Sequence, residues 1–114
     1  MKTSVEEILE EAERVAIEYG LRLIEIERLE NIISLKLVID KELFIQIYGN
    51  SEKEKINLAL VFSNKRLYGF DSEGGKYHCH SFDDPDSHVF LNERKSVKEF
   101  ARESLMLLEK RGFL

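Results

Sequence analysis

Apolar positions recur along this chain with two different periods. Near the N-terminus Val5, Ile8, Leu9, Ala12, Val15, Ala16 and Tyr19 follow the i, i+3, i+4, i+7 spacing that puts side chains on one stripe of a helix. Ser4 with Glu7 three residues on reads as a capping box, and Gly20 as the stop that follows the last turn. From Leu21 the period falls to two. Segments near Arg22–Glu27, Ile33–Ile39, Leu43–Tyr48, Ile56–Ser63, Arg66–Phe70 and Lys76–Phe82 alternate or are rich in β-branched and aromatic residues, with short polar breaks between them. The breaks at Glu30–Asn31, Asp40–Lys41 and Asn64–Lys65 are too short for crossover helices, so the strands are expected to run antiparallel as a meander. The helical period returns at Val97, Phe100, Ala101, Leu105 and Leu108, opened by a second capping box at Ser96 and Glu99 and closed by Gly112.

The expected fold is therefore α+β: an N-terminal helix, an antiparallel sheet of about six strands and a C-terminal helix, with both helices packed on one face of the sheet. Ile33, Leu35, Leu37 and Ile39 share one side of their strand, as do Ile56, Leu58, Leu60 and Phe62, and these two rows are the expected core. The other face is left for solvent, a ligand or a second copy of the chain in a homodimer. A length of 114 residues with 43% hydrophobic composition suits a single domain spanning residues 1–114, with no repeat or linker inside it.

Charge and cysteine usage narrow the classes. The net charge of −5 comes largely from the first helix, where Glu6, Glu7, Glu10, Glu11, Glu13 and Glu18 stand against Lys2 and Arg14. A general affinity for nucleic acid needs a surplus of cations, so only a local basic pocket remains open to such a partner. The glutamates read largely as a solvated face. Cys79 is the single cysteine, which excludes an internal disulfide and a cysteine-based zinc site and points to a reducing compartment. No apolar run is long enough for a membrane span, and no basic stretch leads into an apolar one, so the chain is expected in the cytoplasm.

Reactive residue types concentrate in Asp71–His88. That stretch holds His78, His80 and His88, Cys79, the lone Pro85, and Asp71, Asp83, Asp84 and Asp86. On a strand His78 and His80 point to one face about 7 Å apart, with Cys79 on the other as a small buried hydrophobe. Two imidazoles so placed suit either of two chemistries. They can act as an acid and base pair, the kind of work that RNA cleavage by its own 2′-hydroxyl requires. They can also chelate a divalent metal with His88 or Asp71 as a third ligand. Arg66 and Lys76 are candidates to clamp a phosphate. Gly74–Gly75 reads as a turn, and Asp83–Asp86 as a proline-containing turn rather than a calcium loop.

The stretch Arg66–Phe82, RLYGFDSEGGKYHCHSF, resembles the TumE-like toxin proteins of bacterial and archaeal toxin–antitoxin modules, and the order of elements supports the likeness to the C-terminus. Asp71 matches the aspartate of that family's Arg/Tyr-x-x-Asp-Asn element, and His78 and His80 match its His-x-His. Ser72 stands where the family usually has Asn, and Cys79 where a basic residue is often found. The resemblance implies a growth-inhibiting toxin with ribonuclease activity, neutralised by a helix-turn-helix antitoxin. In that reading His78 and His80 perform metal-independent acid–base chemistry, Asp71 orients an imidazole, and Arg66 and Lys76 bind the phosphate. A metal-dependent hydrolase and a non-enzymatic interaction module, using the open face or an edge strand, are the two alternatives.

Overall fold

Two amphipathic helices enclose the hydrophobic side of one long antiparallel sheet. The computed structural model describes residues 4–74, 76–80, 89–91 and 95–114, with residues 89–91 described as backbone only. Helix α1 spans Val5–Tyr19 and α2 spans Val97–Lys110; between them run β1 (Arg22–Arg28), β2 (Ile32–Asp40), β3 (Leu43–Asn50), β4 (Lys55–Phe62), β5 (Lys65–Glu73), β6 (Lys76–His80) and β7 (Val89–Leu91). The strands pair in sequence order, β1 to β7, each antiparallel to the next. The meander expected from the short breaks is thus present, with β7 as an addition at its far edge. Three residues are too few for an alternation to stand out in the sequence. Phe82, expected at the end of the sixth strand, lies outside the described residues, as do Gly75, Pro85, Asp83, Asp84, Asp86 and His88.

The core forms where the predicted rows point. Ile33, Leu35 and Leu37 of β2, Leu43, Ile45 and Ile47 of β3, Ile56, Leu58 and Leu60 of β4, and Tyr68 and Phe70 of β5 are buried against Val5, Ile8, Ala12, Val15 and Ala16 of α1 and Val97, Phe100, Ala101 and Leu108 of α2. Helix α1 lies over β1, β2 and β3, and α2 over β4. At Gly49 a Cβ would stand 2.5 Å from Ile8 Cδ1, so a residue without a side chain lets α1 settle closely on β3. Among the described residues no element crosses the opposite face of the sheet, where Lys36, Phe44, Gln46, Tyr48, Asn57 and Val61 are half-exposed.

The helix ends follow local rules. Ser4 Oγ accepts from Glu7 N at 3.1 Å, and Gly20 takes up the left-handed conformation (φ +66°) after α1. The Ser96/Glu99 capping box is complete. At the other end of α2 Gly112 N donates to Glu109 O and Phe113 N to Leu108 O, the paired bonds of a Schellman motif around a glycine at φ +82°. The two helices are also joined directly. The Glu11 carboxylate of α1 accepts from the backbone N–H groups of Val97 and Lys98 in the first turn of α2, the latter at 3.3 Å. One glutamate of the acidic face is therefore an anion at a neighbouring helix N-terminus, where the dipole and the unpaired N–H groups favour negative charge.

Candidate functional site

The site is assembled on the helix-free face by the pairing of β4, β5 and β6. Cα register places Asn57 beside Asp71 and Asp71 beside His78, while Gly69 lies beside His80 in the next row. Because alternate residues of paired strands share a face, Asp71, His78 and His80 emerge on one side, and Tyr77 and Cys79 pack toward the core on the other. The sequence expectation for this triplet, both histidines on one face and Cys79 away from them, is what the register produces.

Arg66 reaches the same face through an irregularity. Regular alternation would put it on the core side with Tyr68 and Phe70. Between Leu60↔Tyr68 and Val61↔Arg66, however, β5 carries one extra residue, Leu67, and this bulge turns Arg66 onto the open face. Its Nη2 lies 3.3 Å from His80 Nδ1, and His80 Nε2 lies 2.7 Å from Asp71 Oδ2. A guanidinium has only donors, so Nδ1 accepts; the ring proton then sits on Nε2 and is donated to the carboxylate. Arg66, His80 and Asp71 form a directional chain of donors that ends on a carboxylate oxygen, each bond polarising the next.

Gly69 makes room for that chain. A Cβ there would stand 3.1 Å from Arg66 Cδ and 3.3 Å from His80 Cδ2, closer than side-chain carbons ordinarily approach. The guanidinium stem and the imidazole lie across the strand where a side chain would otherwise project.

The burial of the three groups differs. The His80 side chain is 2% exposed and that of Asp71 34%. Asp71 opens with His78 into a cleft of about 480 Å³ at the turn end of β4, β5 and β6, whose rim includes Lys55, Asn57, Glu73 and Lys76. Lys76, expected at a phosphate, is thus in the cleft. Arg66 is not one of its lining residues and meets His80 from the other side. Both ring nitrogens of His80 are engaged, and a metal there would have to displace Arg66 or Asp71. Among the described residues no three His, Cys, Asp or Glu side chains converge as a set that could hold a metal ion; His88, the third ligand of the metal reading, lies outside the described residues.

Lys55 and Asn57 were not singled out in the sequence. Asn57 had a signal: a polar amide within the apolar strand Lys55–Phe62, of a residue type that strands disfavour. Its Oδ1 is buried without a hydrogen-bond partner among the described residues. A second polar cluster lies on the helix side. Lys95 Nζ donates to both Glu103 oxygens at 2.7 Å and to the Tyr68 hydroxyl at 3.2 Å, and Tyr68 donates to Glu103 at 3.1 Å while stacking on Phe100 at 5.0 Å between centroids. Burial, reinforced by Cys79 and the Glu103 carboxylate, pushes the Tyr68 phenol well above its ordinary pKa. This cluster ties β5 to α2 and faces away from the cleft.

The class that fold and site define is an α+β protein with helices on one face of a seven-stranded meander and an acid–imidazole–cation constellation on the other. No family model, curated protein or solved structure matches this chain. No helix among the described residues is long and apolar enough to cross a membrane.

Proposed function

We propose that this chain is a toxin-like endoribonuclease of a toxin–antitoxin module, cleaving RNA at the Asp71–His78 cleft in the cytoplasm and held inactive by a helix-turn-helix antitoxin. The observation that carries the reading is the convergence of Asp71, His78 and Lys76 on one cleft, with Asp71 oriented from behind by His80. The roles suggested by the His-x-His pattern are redistributed in this reading. His80, buried and bonded at both nitrogens, is a positioning residue, and the acid–base pair consists of Asp71 and His78. The Asp71 carboxylate takes the proton of the ribose 2′-hydroxyl; O2′ forms a bond to phosphorus as the bond from phosphorus to O5′ breaks; His78 in its imidazolium form gives a proton to O5′. The products are a 2′,3′-cyclic phosphate and a 5′-hydroxyl. Lys76 and Lys55, at the rim, offset the charge that develops on the phosphoryl oxygens.

The test is incubation of total RNA with the purified chain, with and without EDTA, beside His78→Ala and Asp71→Asn. Cleavage should survive EDTA and fall about 10²–10⁴-fold in either variant, the range ordinary for loss of a general acid or base. Loss of cleavage on EDTA would replace this mechanism with the metal-dependent hydrolase. Absence of cleavage in every tube would leave a non-enzymatic module. For that module the relevant feature is the edge strand β1, where Ile24, Ile26 and the following Leu29 are 38%, 51% and 57% exposed. A partner retained equally by the wild type and by a His78→Ala/His80→Ala double variant would support it.

A further inference from the structure

The face that carries the cleft continues well beyond it, and its chemistry changes along the way. Cross-strand register forms a row from Ser34 through Tyr48 and Asn57 to Asp71 and His78. Two rows further along the same face, past Lys36 and Gln46, Phe44 sits between Val38 and Val61, and Lys36 Nζ lies 4.3 Å from the centre of its ring. Tyr48 and Phe44 are half-buried, and among the described residues no helix lies over them. With adjacent strands about 4.8 Å apart, Tyr48 stands about 10 Å from Asp71 along its row.

Charge is also partitioned between the two sides of the molecule. Helix α1 carries six glutamates against Arg14. Among the described residues of β2 to β6, the open face carries the cations Lys36, Lys55, Arg66 and Lys76 and the anions Asp71 and Glu73. The described part of this face thus offers an anionic polymer a net positive surface, whereas α1 repels it.

From these observations we infer that the open sheet face is a platform for single-stranded RNA. Bases stack on Tyr48 and Phe44, and Lys36 holds the phosphates on their way to Lys55 at the cleft rim. The inference rests on the RNA-cleavage reading for its choice of polymer and extends it by naming a single-stranded substrate and the residues that hold it away from the reacting phosphate. Duplex RNA does not suit the surface, because its bases are already stacked and offer no free faces to the two rings. The buried Oδ1 of Asn57, beside Tyr48 on the rim of the cleft, is an acceptor that a base amino group or a ribose hydroxyl can satisfy.

The experiment uses the full chain and a fluorescein-labelled RNA of about 12 nucleotides, a length within the span of known single-strand sites. Its sugars are 2′-O-methylated, so no 2′-hydroxyl is present to react and binding is read apart from cleavage. Fluorescence anisotropy should show binding to this strand and not to the same strand annealed to its complement. Phe44→Leu and Tyr48→Leu, which keep an apolar side chain, should each weaken it about tenfold or more. Lys36→Gln should lower the slope of log K against log salt by about 0.7, the value for one phosphate contact to a single strand, whereas Glu13→Gln on α1 should leave the affinity within about twofold. A 2-aminopurine within the RNA should be quenched on binding to the wild type and less so by Tyr48→Leu. Should a leucine variant melt early, the Lys36→Gln slope and the quenching decide the matter.

Failure of this inference can be told from failure of the enzymatic one. Aromatic-dependent binding of an RNA that is never cut when its 2′-hydroxyls are restored would keep the platform and remove the nuclease. Cleavage that proceeds while Phe44→Leu and Tyr48→Leu bind as the wild type does would remove the platform alone. A wild-type chain that ignores RNA, or a dimer that Phe44→Leu dissociates, would overturn the inference, the second outcome in favour of another copy of the chain on this face.

Discussion

Replacing His80 by alanine tests the central geometry most directly. The His80→Ala change removes the bond to Asp71 at 2.7 Å, the bond from Arg66 at 3.3 Å and a ring that is almost wholly buried. A bond to a charged partner contributes about 1.5–3 kcal/mol net, and the lower end applies here because the Asp71 side chain is 34% exposed. The bond from the exposed Arg66 adds about 0.5 kcal/mol, and deleting the buried ring costs about 1 kcal/mol more in lost contacts and residual cavity. The expected total is about 3 kcal/mol, or about 10 °C in Tm for a domain of this size. Urea unfolding followed by far-UV circular dichroism measures it, with His78→Ala as the comparison. His78 is only half-buried, and its loss should cost under about 1 kcal/mol. A double-mutant cycle between His80→Ala and Asp71→Asn should return a coupling of about 1 kcal/mol or more. If His80→Ala unfolds within about 0.5 kcal/mol of the wild type, or if the two histidines cost the same, then the Arg66–His80–Asp71 chain does not hold the site, and the division of roles between the histidines fails with it.

Four further outcomes follow from named contacts. Glu11→Ala should destabilise the fold by about 2 kcal/mol in thermal melts, since two N–H groups at the start of α2 lose their acceptor, whereas exposed Glu10→Ala should change it by less than about 0.5 kcal/mol. Gly69→Ala should push Arg66 and His80 aside, so RNA cleavage should fall further than the Tm does; full activity in this variant would refute the packing argument. Asn57→Val should raise the stability by about 1 kcal/mol, because it removes a buried acceptor that has no partner and adds a β-branched residue to a strand, while weakening RNA binding. For pH, Tyr68 has its proton held more tightly in the folded state than in the unfolded chain. The stability this gives is complete below the ordinary phenol pKa of about 10 and is lost as the pH rises beyond it, by at most about 1.4 kcal/mol per pH unit. Tyr68→Phe should therefore flatten the alkaline limb of the stability curve, and an unchanged limb would show that Tyr68 is not held neutral.

The architecture was legible in the sequence because each element carries its own signal. The stripe from Val5 to Tyr19 and the rows Ile33–Leu35–Leu37 and Ile56–Leu58–Leu60 become buried faces, and Ser4, Ser96, Gly20 and Gly112 mark the helix ends where expected. These are local preferences, decided within one or two turns or a few alternating residues. The connections told the topology for a similar reason, since a two-residue break cannot return a chain parallel to itself. The three-residue β7 fell below what periodicity can register.

The candidate site was legible in outline and not in its roles. Alternation alone told that His78 and His80 share a face and that Cys79 does not. It could not tell that His80 is enclosed and His78 lines a cleft, because that depends on what the neighbouring strands place around each ring. Arg66 shows the difference most clearly. Its position in the sequence implies the core side of β5, yet one extra residue at Leu67 turns it over the Gly69 backbone to His80, and that bulge exists only in the pairing of β5 with β4. Glu11, one of six similar glutamates, becomes the partner of a helix start 86 residues away. Periodicity is a property of a segment and is written in it; an electrostatic partner is a property of two segments, and only the folded chain brings them within the few ångströms over which a hydrogen bond acts.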